Sequence, residues 1–151
     1  MATRVAVYFA GRRRSRMLCE SMINGIRRIG DTVDSFQEQE YTGPTHQVAV
    51  FYGLAGNLRK VFEDYQKDGR KAVYIDLGYW GRREGHGRYA GYHKVSVNGR
   101  HPTDYFQKLN HNDDRFRKFG LEVHPWGKGT HIIVAGMSAK SAEVEGFKPE
   151  Q

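Results

Sequence analysis

Three short apolar runs restrict the fold more than anything else in this chain. They are Arg4–Ala10 (RVAVYFA), His46–Leu54 (HQVAVFYGL) and Lys71–Leu77 (KAVYIDL). Each is rich in β-branched and aromatic residues and is apolar at most positions instead of alternate ones. Strands of that kind are buried on both faces. A sheet covered on both faces needs helices above and below it, and the intervening sequence supplies them. Leu18, Met22, Ile26 and Ile29 recur at helical spacing after the first run, and Gly30 stands where a helix C′ residue belongs. Leu54, Leu58, Val61, Phe62 and Tyr65 recur after the second run, with Lys67 and Gly69 at the close.

Between these units the acidic segment Asp31–Tyr41 holds a short strand near Thr32–Phe36, and Thr42, Gly43 and Pro44 break the chain. The order β-α-β-β-α-β predicts a three-layer α/β domain with a mostly parallel sheet. Further on, His93–Val97 alternates and reads as a half-buried or edge strand. Asn98–Pro102 is a turn. Thr103 caps a helix over Asp104–Asn110, with Tyr105, Phe106 and Leu109 inward. A helical turn over Asp114–Phe119 ends at Gly120. Short strands follow at Leu121–Pro125 and Thr130–Met137. Residues 1–137 thus read as a single domain, and 138–151 as a polar tail, partly docked through Val144 and Phe147 or frayed.

The 151 residues suffice for one domain with a real core. No apolar run approaches the roughly 18–20 residues of a membrane helix, so no membrane span is expected. The first apolar stretch precedes its arginines, the reverse of a signal peptide. The lone Cys19 offers no disulfide and reads as a core filler on a helix, which fits a cytoplasmic protein. The formal charge of +7 favours polyanions: nucleic acid, nucleotide phosphates or acidic partners.

The cations cluster in two places. The first is the turn Gly11, Arg12, Arg13, Arg14, Ser15, Arg16, between the first strand and its helix. Helix amino ends attract anions, and guanidinium groups fork onto phosphate. The turn is neither a GxGxxG fingerprint nor a P-loop, so it reads either as a phosphate or nucleic-acid contact or as a solvated basic turn. The second place is the loop after Leu77, which carries Tyr79, Trp80, Arg82, Arg83, His86, Arg88, Tyr89, Tyr92 and His93, with Lys94 and Arg100 beyond it. In open α/β sheets ligands bind beyond the carboxyl ends of strands. Aromatic faces stack on bases or sugars while cations meet phosphates. The same residues would also suit a protein interface, or pack inward to stabilise the loop.

Asp76, at the end of the third run, is the candidate general base or sugar-hydroxyl ligand; alternatively it caps the following turn through backbone amides. His101 is the second catalytic candidate, with Asp104 near it. Glu84 reads as an ion-pair partner of Arg82 or Arg88. The seven histidines show no HExxH, the single cysteine forms no zinc spacing with them, and no GxSxG is present. No metal site is expected.

The segments DLGYWGRREGHGRYAGYHKVSVNGRHPTDYF and DRFRKFGLEVHPWGKGTHIIVAGMSAKSAEVEGF resemble a group of phage-encoded proteins related to two-domain GT-B glycosyltransferases. The resemblance implies that residues 1 to about 130 correspond to the amino-terminal Rossmann-like half, which handles the acceptor. IIVAGMSAKSA would then open the second half, which holds a nucleotide-sugar donor. As the sequence stops there, the expectation is a transferase-like domain that binds a nucleotide or DNA acceptor and depends on a partner chain. The other expectation is a non-enzymatic viral protein in the host cytoplasm that binds a host protein or nucleic acid through the basic aromatic loop.

Overall fold

The computed structural model describes residues 2–78, 91–101, 107–109, 112–125, 127–130 and 142. The chain divides into two compact units, Met1–Gly120 and Leu121–Gln151. The first holds a five-stranded sheet made of β1 (Arg4–Phe9), β2 (Thr32–Gln37), β3 (Val48–Tyr52), β4 (Lys71–Leu77) and β5 (His93–Val97). The strand order is β2-β1-β3-β4-β5. The first four strands run parallel, and β5 lies antiparallel to β4, with Asp76 opposite Lys94 and Leu77 opposite His93. This is the expected Rossmann-like α/β architecture with a mostly parallel sheet. None of the described helices is long and apolar enough to cross a membrane.

Handedness sets the layers. The connection β1–α1–β2 moves one way across the sheet, with α1 at Arg13–Arg28. The connections β2–β3 and β3–α2–β4 move the other way, with α2 at Leu58–Lys67. Right-handed crossovers therefore put α1 on one face and α2 on the other. Between α1 and the sheet, Cys19 and Ile26 of the helix pack with Val5, Val7, Val50 and Ile75 of the strands. Between α2 and the sheet, Leu58, Val61, Phe62 and Tyr65 of the helix pack with Ala6, Tyr8, Ala49, Phe51, Ala72 and Tyr74 of the strands. Consecutive strand residues go to opposite clusters, which explains runs that are apolar at nearly every position.

The crossover from β2 to β3 contains only a 3-10 turn, Glu38–Glu40. Side chains hold it instead of a helix. Tyr41 packs edge-on against Tyr8 and donates to Asp64 at 3.1 Å. His46, buried, lies 2.8 Å from the Asp34 carboxylate and 2.8 Å from the Thr45 hydroxyl. The hydrogen bond from His46, helped by Arg4, holds the Asp34 carboxyl below its ordinary value. The structure begins β3 at Val48 and ends it at Tyr52, so His46 is a packed side chain of the crossover and not a strand residue.

Both helices end in the same way. Gly30 has φ 83, its N–H donates to Arg27, and the N–H of Asp31 donates to Ile26. Gly69 has φ 69, with the corresponding bonds to Gln66 and, from Arg70, to Tyr65. These are Schellman caps, as the glycines foretold. Ile29 corrects the sequence reading: it is the C-cap residue, turned off the apolar stripe and 75% exposed. Asn98 closes β5 in the left-handed region at φ 53. Its side chain accepts from Ala72 N–H at 2.7 Å and donates to Arg70 O at 3.2 Å.

Beyond β5, Gln107 and Lys108 are helical, but Leu109 is 41% exposed, not inward. Helix α3 (Asp114–Lys118) is followed by Gly120 at φ 58. In the second unit Leu121–Pro125 is not a strand, and Val123 is 83% exposed, having no sheet neighbour to bury it among the described residues. Thr103, Asp104, Tyr105 and Phe106 lie outside the described residues, as does the expected strand Thr130–Met137 beyond Thr130, and the tail apart from Ala142.

Two outcomes follow from this packing. Burial pushes the Cys19 thiol up to about 11, so the native protein is expected to resist a thiol reagent at pH 8 and to react only as denaturant unfolds it; labelling at the rate of a free thiol without denaturant would contradict this. Gly56 has φ 63, and a Cβ there would sit 2.5 Å from Glu38 Oε2. Gly56→Ala is expected to destabilise the protein by roughly 1–2 kcal/mol, read as a lower melting temperature.

Candidate functional site

The carboxyl end of β1 passes into α1 through Ala10, Gly11 and Arg12. A buried serine fixes this turn. Ser15 Oγ accepts the Ala10 N–H at 3.0 Å and lies 3.9 Å from Cys19 Sγ. Cys19 Sγ donates to the Tyr8 carbonyl at 3.5 Å, and both side chains are fully buried. Arg12 N–H donates to Ala10 O at 2.7 Å. One helical turn is thereby pinned to the strand it leaves.

Around this turn is an open cleft of about 260 Å³ lined by Phe9, Ala10, Gly11, Arg12, Arg13, Arg16 and Gln37. Gln37 comes from the end of β2, opposite Phe9. The N-cap of α1 is Arg12, which provides no side-chain cap, and the first turn contains no acid. The positive end of a helix favours carboxylates over cations. Arginines here oppose the dipole, and an anion in the cleft would relieve both. Gly11 borders the cleft with open space where a side chain would stand.

Arg14 points elsewhere. Its Nη1 lies 3.5 Å from the Tyr52 hydroxyl, and the Tyr52 ring meets the His93 ring edge-on with centroids 6.3 Å apart. His93 Nε2 is buried with no hydrogen-bond partner among the described residues. Burial and the Arg14 charge lower its pKa, against smaller opposing effects from the Gly91 carbonyl and Asp76. The site thus joins the arginine turn to His93 across the α1 face, a link that sequence distance concealed.

Asp76 lies on the other face. Tyr74 belongs to the cluster under α2, and its hydroxyl donates to Asp76 Oδ2 at 2.6 Å. The Leu77 N–H donates to Oδ1 at 2.8 Å, and Lys94 Nζ is 3.9 Å from Oδ2. Burial and this hydrogen bond raise the Tyr74 pKa. Lys94 also donates to the Arg100 carbonyl at 2.9 Å, which ties the turn after β5 to the same group. His101 is exposed beyond it. Tyr92 is engaged by α3: Lys118 Nζ is 2.5 Å from its hydroxyl, and Phe119 meets its ring edge-on at 5.6 Å. Tyr79, Trp80, Arg82, Arg83, Glu84, His86, Arg88 and Tyr89 lie outside the described residues.

Sequence reasoning missed Ser15 and Tyr52. Ser15 had a signal, a small polar residue at the third position of a helix otherwise crowded with arginine. Among the described residues no three His, Cys, Asp or Glu side chains converge. No protein-family model matches the chain, and no curated protein is significantly similar to it.

His93 gives a pH dependence. Its folded pKa lies below the ordinary 6.5, so the unfolded chain binds its proton more readily. Its contribution is fully present above about pH 6.5 and is lost as pH falls through the folded value. The groups around it are Arg14, Tyr52 and the Gly91 carbonyl, with the Asp76 charge acting from the opposite face. Melting temperature is expected to fall less between about pH 7.5 and about pH 5 in His93→Gln than in the parent; equal slopes would remove His93 from the account.

Proposed function

We propose that this protein binds a phosphorylated ligand, a nucleotide or nucleic acid, at the carboxyl end of its sheet. The observation that carries this reading is the cleft built from Arg12, Arg13 and Arg16 at an α1 amino end that has neither a capping side chain nor an acid. Phosphate oxygens are the ligands that helix amides and forked guanidinium groups hold best. In the fuller form of the proposal this is the acceptor-binding half of a glycosyltransferase-like protein, of the kind phages use on DNA. A nucleotide-sugar donor would then be held by further chain or by a partner protein, and Asp76 would serve as base.

A second reading is a non-enzymatic binding module, and one observation favours it. The Asp76 carboxylate already accepts from Tyr74 and Leu77 and lies near Lys94, which suits a structural clamp at the strand end. Asp76→Asn separates the two: loss of sugar transfer with unchanged ligand binding favours the base.

The binding itself is tested by calorimetry with nucleoside mono- and diphosphates and a short oligonucleotide. Charged hydrogen bonds contribute about 1.5–3 kcal/mol each. Arg13→Ala with Arg16→Ala is therefore expected to weaken binding at least about tenfold while the fold survives. Undiminished affinity in that variant, or no binding of any of these compounds by the parent, would refute the proposal.

A further inference from the structure

Several cations elsewhere in the first unit pair with acidic neighbours, while the exposed Lys67, Lys71 and Lys108 form no ion pair among the described residues. On α2, Arg59 pairs with Glu63 and Lys60 with Asp64, one turn apart in each case. Arg70 pairs with Asp68, Arg117 with Asp113, and Arg4 lies 3.8 Å from Asp34. Helix α1 differs. With its N-cap it carries six arginines, no lysine and one acid, Glu20. Arg12, Arg16, Arg27 and Arg28 are exposed and form no ion pair among the described residues.

Their placement is ordered. Ser15, Cys19 and Ile26 face the sheet, buried. At 100° per residue, Arg28 and Arg13 stand most nearly opposite that buried side, and Glu20, Arg27 and Arg16 run down one solvent-exposed flank beside them. Arg16 and Arg27 are eleven residues apart, about 16 Å along the axis, and the whole helix is about 24 Å long. Arg27 and Arg28 complement the helix dipole at the carboxyl end. Arg12, Arg13 and Arg16 oppose it at the amino end, so helix stability does not account for the set. Glu20 separates two cationic clusters on one row.

We propose that the outer face of α1 is a docking surface for a nucleic-acid backbone, which contacts one phosphate group in the Arg12–Arg16 cleft and another beside Arg27 and Arg28. This rests on the phosphate-ligand reading above and extends it: the ligand is a polymer, not a mononucleotide. A duplex carries about one charge per 1.7 Å of axis, so a helix of this length lies against several phosphates. Arginine in place of lysine throughout suits forked phosphate contacts. A membrane surface fits less well, because the apolar side chains of α1 are committed to the sheet. A protein partner would want an aromatic or apolar centre, and among the described residues the outer face offers a partly exposed Met17 and, at one end, Ile29.

The test is fluorescence anisotropy with a labelled 20-nucleotide single strand across a salt series, for the parent and for Arg27→Gln with Arg28→Gln. Circular dichroism monitors folding. The parent is expected to bind the 20-mer far more tightly than a mononucleotide. The variant is expected to lose about tenfold or more in affinity, and its log–log salt slope to shrink by about 0.7, one single-strand phosphate contact. Its affinity for a nucleoside diphosphate should be unchanged. Equal slopes and affinities in parent and variant would overturn the proposal while leaving the cleft reading intact. So would mononucleotide binding as tight as the 20-mer, or a stronger preference for vesicles of anionic lipid or for polyglutamate. Absence of binding to any phosphorylated compound would overturn both.

Discussion

The Ser15 hydroxyl, accepting the Ala10 N–H from inside the core, is the contact on which the carboxyl edge of this sheet depends. It fixes where β1 stops and α1 starts. Cys19, one turn on, repeats the attachment at the Tyr8 carbonyl. Two small polar side chains satisfy the strand end from within, and the turn keeps its shape without drawing on the arginines around them. That division lets the turn hold a geometry while its outer side chains face solvent. Leaving a buried donor unmet costs about 1–3 kcal/mol, so Ser15 orders the turn more firmly than its size suggests.

The sheet then sorts the chemistry by face. Residue parity sends Tyr74 and Asp76 toward α2, and Tyr52 and His93 toward α1. On the α2 side acids and bases meet one another, as in the Asp76 clamp and the ion pairs of the helix. On the α1 side guanidinium groups gather around a cleft and beside an imidazole whose pKa burial lowers. Two candidates that stand close at the end of one loop, Asp76 and His93, thus serve different surfaces.

Much of the fold was legible because both faces of the sheet are buried. Runs such as RVAVYF and VAVFY admit no other environment, and Gly30 and Gly69 mark helix ends by backbone freedom alone. Legibility fell where a single residue had to be placed without its neighbours. Ile29 continues a periodic stripe in sequence, yet it lies past the last helical turn. Leu121–Pro125 carries strand-like residues but meets no ladder among the described residues. The arginine turn was visible as a charge cluster, whereas its link to His93 was not, because Arg14 and His93 meet through Tyr52 on a third element. The face of Asp76 was open to reading, since two-residue alternation from Tyr74 assigns it; its partners were not.

The Glu38 carboxylate lies so close to Gly56 that a side chain there would have to displace it, and the Glu38 backbone carbonyl receives the Asn57 side chain at the start of α2. The protein therefore places one of its own carboxylates beside one helix amino end and leaves arginines at the other. Both ends open on the same edge of the sheet, which gives that edge an electrical polarity. A charged polymer diffusing nearby experiences a torque before it touches anything. Under the phosphate-ligand proposal, productive collisions would be selected by approach angle, and the gain would be in the speed of finding the site, not in the strength of holding there.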